Sequence, residues 1–204
     1  MEQRYSGPVS VRVEPGTLLS GDIDDVAIWS SVPEEFRVKG LFFKRSTTVL
    51  GDDMERIRQE LREPTERYLP FRDYSAADHG RLAVLAARKQ HPRVSDREAV
   101  RRFARQDMDD FATSVLGKVM LSLVGDPQKA LSLYAQVYAK VAPGPWGVSQ
   151  EQTDEGWLVE FRNHPGDWAY QIGQLEGIIG YYGEQAVVTV DVEPPRIRYR
   201  LSWL

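Results

Sequence analysis

A chain of 204 residues, 42% hydrophobic and 27% charged, is long enough to bury one substantial core within the size of a single domain. Its formal charge of -4 and pI near 5.5 argue against nucleic acid as a partner, because a nucleic-acid footprint needs a basic excess. The absence of cysteine excludes disulfides, thiolate nucleophiles, thiolate zinc sites and cysteine-ligated iron–sulfur clusters.

The opening MEQRYSGPVS lacks a basic start followed by an apolar run. No apolar stretch of roughly 18 residues occurs, so neither a signal peptide nor a membrane span is expected, and the cytoplasm is the expected compartment. Residues 1–37 are rich in turn formers, although Val9, Val11 and Val13 alternate as in a short half-buried strand. They read as an N-terminal arm or edge-strand extension to a single domain over 38–204.

Helical patterns begin at GDDMERIRQELRE. Ser75, with Asp78 three residues on, caps a helix whose apolar face holds Leu82, Leu85 and Ala86. Ser95 and Glu98 form a capping-box pattern that opens one long helix, in which Val100, Phe103, Ala104, Phe111, Val115, Val119 and Leu123 are spaced for burial until Gly125 and Pro127 end it. A further helix, DPQKALSLYAQVYAKV, places Leu131, Tyr134, Ala135 and Tyr138 on one side.

The final third changes period from 3.6 to 2. GWLVEF puts Trp157, Val159 and Phe161 on one face, with GVSQEQTDEG before it as hairpin partner. In the last hairpin, turning at Pro194 and Pro195, Val192 faces Ile197, Val190 faces Tyr199 and Val188 faces Leu201. On the other side Glu193 meets Arg196 and Asp191 meets Arg198. The layout predicts an α+β fold: a helical N-terminal half, then a β-β-α-β-β unit whose antiparallel sheet packs against helices.

Between those hairpins lies WAYQIGQLEGIIGYYG, a helical pattern in which each internal glycine costs about 0.5–1 kcal/mol relative to alanine. Trp168, Ile172, Leu175, Ile179 and Tyr182 form one stripe. Ala169, Gly173, Gly177 and Gly180 form a neighbouring small-residue stripe. Three neighbours could come close enough to offset the glycine loss: a helix of the same chain, the same helix of a second subunit in a homodimer, or a ligand against bare backbone. Gly177→Leu is expected to be damaging and Gln174→Leu near neutral.

These segments, with VKGLFF, YLPFRDYSAADHGRLAVLAARKQHP and the terminal RYRLSW, resemble a family of myxobacterial proteins known as a domain of unknown function, over approximately residues 38–203. More distantly, the order of elements is similar to the superfamily of haem-NO-binding sensor domains, 4-vinyl reductase-type domains and TRAPP trafficking subunits. That likeness implies helices and a twisted antiparallel sheet around an apolar pocket, and assembly through helices. A haem sensor of that kind needs an axial histidine and a Tyr-x-Ser-x-Arg clamp for the propionates. YRLSW has those letters in the wrong order and spacing, so no haem, metal or other cofactor is expected.

His79, His91 and His164 stand 12 and 73 positions apart and read as surface or capping residues. Asp107, Asp109 and Asp110 fan around a helix as a solvated face, and Asp22, Asp24 and Asp25 read as a loop and helix start. Arg97, Arg101 and Arg105 recur every four residues as a ridge that could contact a phosphate or an acidic partner, or be a solvated, ion-paired stripe. Trp146 and Trp168 could flank a pocket mouth, with core filling the alternative for Trp168. The expected function is a non-enzymatic regulatory or sensor-like module. It binds a small apolar ligand or a partner protein in a helix–sheet cleft near Trp146, Trp168, Tyr170, Gly173, Gly177 and Gly180. The alternative is a ligand-free assembly adaptor, for instance in a small GTPase system.

Overall fold

A computed structural model describes residues 8–204, apart from the side chains of Val115, Leu116, Met120, Ser122 and Leu123; the first seven residues, and the burial expected of Val115 and Leu123, lie outside the described residues. In chain order come β1 (Val9–Val13), α1 (Asp25–Ser31), β2 (Arg37–Lys39), α2 (Phe43–Leu50), α3 (Asp53–Arg58), β3 (Asp73–Ser75) and α4 (Ala76–Gln90). There follow α5 (Asp96–Thr113), α6 (Val115–Val124), α7 (Pro127–Ser132), α8 (Tyr134–Val141), β4 (Gly147–Thr153), β5 (Gly156–Arg162), α9 (Trp168–Tyr181), β6 (Ala186–Glu193) and β7 (Arg196–Trp203). The class is α+β.

The main sheet is antiparallel, in the order β1-β6-β7-β5-β4. In the β6–β7 hairpin Val192 pairs with Ile197, Val190 with Tyr199 and Val188 with Leu201, and Asp191 with Arg198 on the opposite face, which is the register read from the alternation of apolar and charged residues. The sheet has one core face because the side-chain period is two: Val188, Val190, Val192, Tyr199 and Leu201 are all buried. α9 lies on that face, sandwiched between the sheet and α5, with Trp168, Ile172, Leu175 and Ile179 buried.

The two expected long helices are each broken. Ser114 is extended (φ -67°, ψ 160°), its hydroxyl accepting from the Gly117 N–H and donating to the Phe111 carbonyl, so it ends α5 and caps α6. The turn is tight enough that a Cβ on Gly117 would collide with the Phe111 carbonyl. After the break the periodicity changes phase, and Val119 stands 55% exposed instead of buried. Leu133, in a helical conformation (φ -101°, ψ -5°) and without a side-chain cap, separates α7 from α8 by a turn, and α3 stops after six residues.

Ser75 and Ser95 cap α4 and α5 by accepting from the Asp78 and Glu98 N–H groups. The Glu98 carboxylate does not return to its cap. It accepts from the Leu19 N–H and pairs with Arg101 and Arg102. Ser95 Oγ donates to the Leu19 carbonyl, and Asp96 accepts from the Ile23 N–H. The start of α5 therefore ties down the segment between β1 and α1. Among the described residues no helix is long and apolar enough to cross a membrane.

Candidate functional site: an apolar cavity walled by helices

The glycines of α9 are met by α5. A Cβ on Gly173 would enter the Arg101 carbonyl and come within 2.9 Å of Ala104 Cβ, and one on Gly177 would stand 2.6 Å from Met108 Cβ. Gly180, at the end of the stripe, would meet only Arg105 Nη2 at 3.6 Å. Of the three neighbours considered, the structure has the intrachain helix. Gly173 and Gly177 are thereby unavailable both to a ligand and to a second subunit.

The arginine ridge belongs to the same contact. Arg97 reaches Asp167, the cap of α9, at 3.3 Å and lies over the Trp168 ring at 5.1 Å. Arg101 grips Glu176 through two bonds of 2.9 and 2.6 Å and also donates to the Thr17 carbonyl. Arg97 and Arg101 are thus internal ties, not phosphate contacts, and Arg105 is exposed beside Gly180. Trp168 is core, 2% exposed.

The open space lies on the other side of α9. A cavity of about 630 Å³ runs between α4, α5, α9 and the outer wall of α6, α7 and α8, within the size range of small-molecule sites. Trp146 and Tyr170 line it, whereas Trp168, Gly173, Gly177 and Gly180 do not. Its walls are mostly aliphatic and aromatic, among them Phe42, Val84, Val100, Met108, Val137 and Ile178.

Polar groups in the wall are turned toward one another. Tyr170 Oη donates to Asp107 at 2.9 Å, and Tyr134 Oη donates to Gln174 Oε1 at 3.4 Å. His164 Nε2 stands 3.0 Å from both Tyr138 Oη and Gln171 Nε2, its Nδ1 accepts from the Gly166 N–H, and its ring stacks on Trp146 at 5.3 Å with planes 6° apart. His79 lines the cavity with part of its ring, against Phe43 and Tyr170. Its Nε2 is sealed from the open space without a hydrogen-bond partner, and burial pushes the imidazole pKa down to about 4.

Three residues therefore depart from their expected places. His79 and His164 are wall residues of the cavity, and Asp107 is buried instead of solvated. Helical phase would have found Asp107, which lies seven residues after Val100 and so on its side of α5. His164 sits in a loop whose fold has no periodic signal. Gln174 is also buried, so leucine there would remove the acceptor of Tyr134 and not be a neutral control.

Burial, the largest influence, raises the Asp107 carboxyl to about 7, against the lowering effects of Tyr170 and Arg45. The native state then keeps a proton that the unfolded chain releases near pH 4, so this group's contribution falls as pH rises from about 4 to 7 and is level beyond. Asp107→Asn keeps an acceptor for Tyr170 and removes that loss. It is expected to be more stable than wild type by about 4 kcal/mol at pH 8 and about equal at pH 4. Urea unfolding at both pH values checks this; equal gains at both would refute the titration.

The match to a family model of unknown function (DUF2378) covers residues 32–204. No curated protein matches the chain. Among solved structures, the H-NOX protein of S. oneidensis in the Fe(II)NO ligation state aligns with TM-score 0.64 and 12% identity over 81% of this chain and 99% of that one. The Fe(II) unliganded H-NOX protein from K. algicida aligns at 0.60 with 14% identity, over 81% and 96%. A mutant form of T. tengcongensis H-NOX aligns at 0.59 with 16% identity, over 80% and 94%.

An iron porphyrin needs an open axial nitrogen and cationic or polar clamps for two propionates. Here His164 is engaged on both nitrogens and His79 Nε2 is sealed. Among the described residues the cation lining the cavity is Lys129, paired with Asp126. The wall does not fit a haem. The fold is thus that of H-NOX domains with a differently furnished cavity, and by its sequence the chain belongs to the DUF2378 family.

Proposed function

We propose that this chain is a non-enzymatic, sensor-like module of the cytoplasm that takes a small, uncharged, apolar molecule into the cavity between α4, α5, α9 and the α6–α8 wall. The observation that carries this reading is a large cavity with a mostly apolar wall, in which Tyr134, Tyr138, Tyr170 and His164 are tied to neighbouring side chains. Such a surface favours hydrocarbon or aromatic ligands over ions, since an ion placed there would lose its hydration without replacement. The likeness in fold to H-NOX proteins, one of them in an Fe(II)NO ligation state, supports a small ligand. Occupancy would reach a partner protein through α6, α7 and α8, which form the outer wall. The ligand-free adaptor is disfavoured by the cavity itself, since a scaffold without a ligand gains dispersion energy by filling such a space.

Gly80, in the second turn of α4, lines the cavity, and a Cβ there would meet nothing within 4 Å. Wild-type protein is expected to bind the fluorescent apolar probe N-phenyl-1-naphthylamine at one site per chain. Gly80→Phe is expected to fill the space and abolish binding, with thermal stability held or raised by about 0.5 kcal/mol from helix propensity. No binding by wild type, or undiminished binding by a folded Gly80→Phe, would exclude the cavity as the site.

A further inference from the structure

A second pocket, of about 350 Å³, opens away from the apolar cavity between α2, α3 and the loop that precedes β3. Its wall contains Lys44 and Thr47 from α2, Arg58 from the end of α3, and Glu66, Arg67 and Tyr68 from the loop. Three cations thus face one carboxylate in a chain whose formal charge is -4. Many arginines outside the pocket are paired, among them Arg37 with Glu63, Arg81 with Glu60, and Arg88 with Asp25 and Asp96. Among the described residues no carboxylate lies within ion-pair distance of Lys44, Arg58 or Arg67, although Glu66 shares their pocket.

Two further atoms at this place lack partners. Arg58 Nε and Tyr68 Oη are both shielded from solvent and form no hydrogen bond. A shielded donor left unmade costs more than one exposed to water, so such groups call for an explanation. The Tyr68 ring cannot turn away freely, being stacked on Phe43 at 4.1 Å and edge-on to Tyr74 at 4.9 Å. The pocket thus combines two guanidinium groups and an ammonium around a space too small for a large ligand, beside the Tyr68 ring, whose hydroxyl is shielded from solvent.

We infer that this pocket binds a phosphate group, held by Arg58, Arg67 and Lys44. Three cations around one small space suit a tetrahedral oxyanion, and a guanidinium fork meets two of its oxygens at once. Glu66, at the edge, opposes the bound charge and sets the affinity. The phosphate could belong to a soluble metabolite or to a phospholipid headgroup. The chemistry of recognition is the same in both.

The test is calorimetric titration of the full chain with inorganic phosphate, alongside co-sedimentation with phosphatidylcholine vesicles with and without phosphatidic acid. Arg58→Gln is expected to weaken binding by about tenfold or more. Glu66→Gln, at an exposed position and without effect on folding, is expected to tighten it severalfold. Binding of inorganic phosphate with those two responses supports a soluble source. Binding confined to phosphatidic acid vesicles with the same responses supports a lipid source. Binding indifferent to both variants, or no binding to either probe, overturns the inference.

Discussion

Gly173→Ala is expected to lose about 4 kcal/mol of stability, an unusually large loss for the addition of one methyl group. The new Cβ would enter the carbonyl of Arg101, which is backbone in the middle of α5 and cannot rotate aside. The only relief is to separate α5 from α9, and that contact carries Phe103, Ala104, Met108, Ile172 and Leu175 into the core. Gly180→Ala, two turns further along the same stripe, meets only the mobile end of Arg105. It should gain about 0.5–1 kcal/mol from helix propensity. Urea denaturation of the pair gives opposite signs if close approach repays the glycines. Two small changes of the same sign would remove that explanation.

Replacing Arg101 should be as severe for a different reason. Its guanidinium, in a residue 7% exposed, is shared among Glu176, Glu98 and the Thr17 carbonyl. Arg101→Met leaves the Glu176 carboxylate, itself only 14% exposed, without its partner. Removing one member of a buried pair costs about 3–5 kcal/mol, most of it the unpaired charge left behind. The double variant Arg101→Met/Glu176→Leu should therefore be more stable than Arg101→Met alone, by about 2 kcal/mol, since the second change removes the stranded charge. A double variant as unstable as the sum of both single changes would show that geometry, not charge, is what the pair supplies.

Legibility of this fold in the sequence follows the range of the interaction. The β6–β7 register can be written down because alternation fixes which face each residue takes, and one hairpin contains the whole signal. The serine caps at 75 and 95 are legible for the same local reason. The break at Ser114 is not, because a serine inside a helix pattern has no signature until its hydroxyl is known to accept from Gly117. The glycine stripe announces a close neighbour but not which one, since that depends on how α5 lies across α9. Of the expected site, Trp146 and Tyr170 reach the cavity, and the rest of the wall comes from side chains far apart in sequence, such as His79, Tyr138 and His164. Their roles arise from tertiary placement alone.

Strand β1 also shapes how the molecule is assembled. Ser10 bonds to Asp191, 181 positions away, and β1 pairs with β6 at the edge of the sheet. On a ribosome, that strand emerges early and must wait, solvated and unpaired, until β6 has been translated. Closing so long a loop is slow and leaves an adhesive ribbon in the nascent chain. The main sheet is therefore completed late in biosynthesis, only after helices α1 to α9 have been translated.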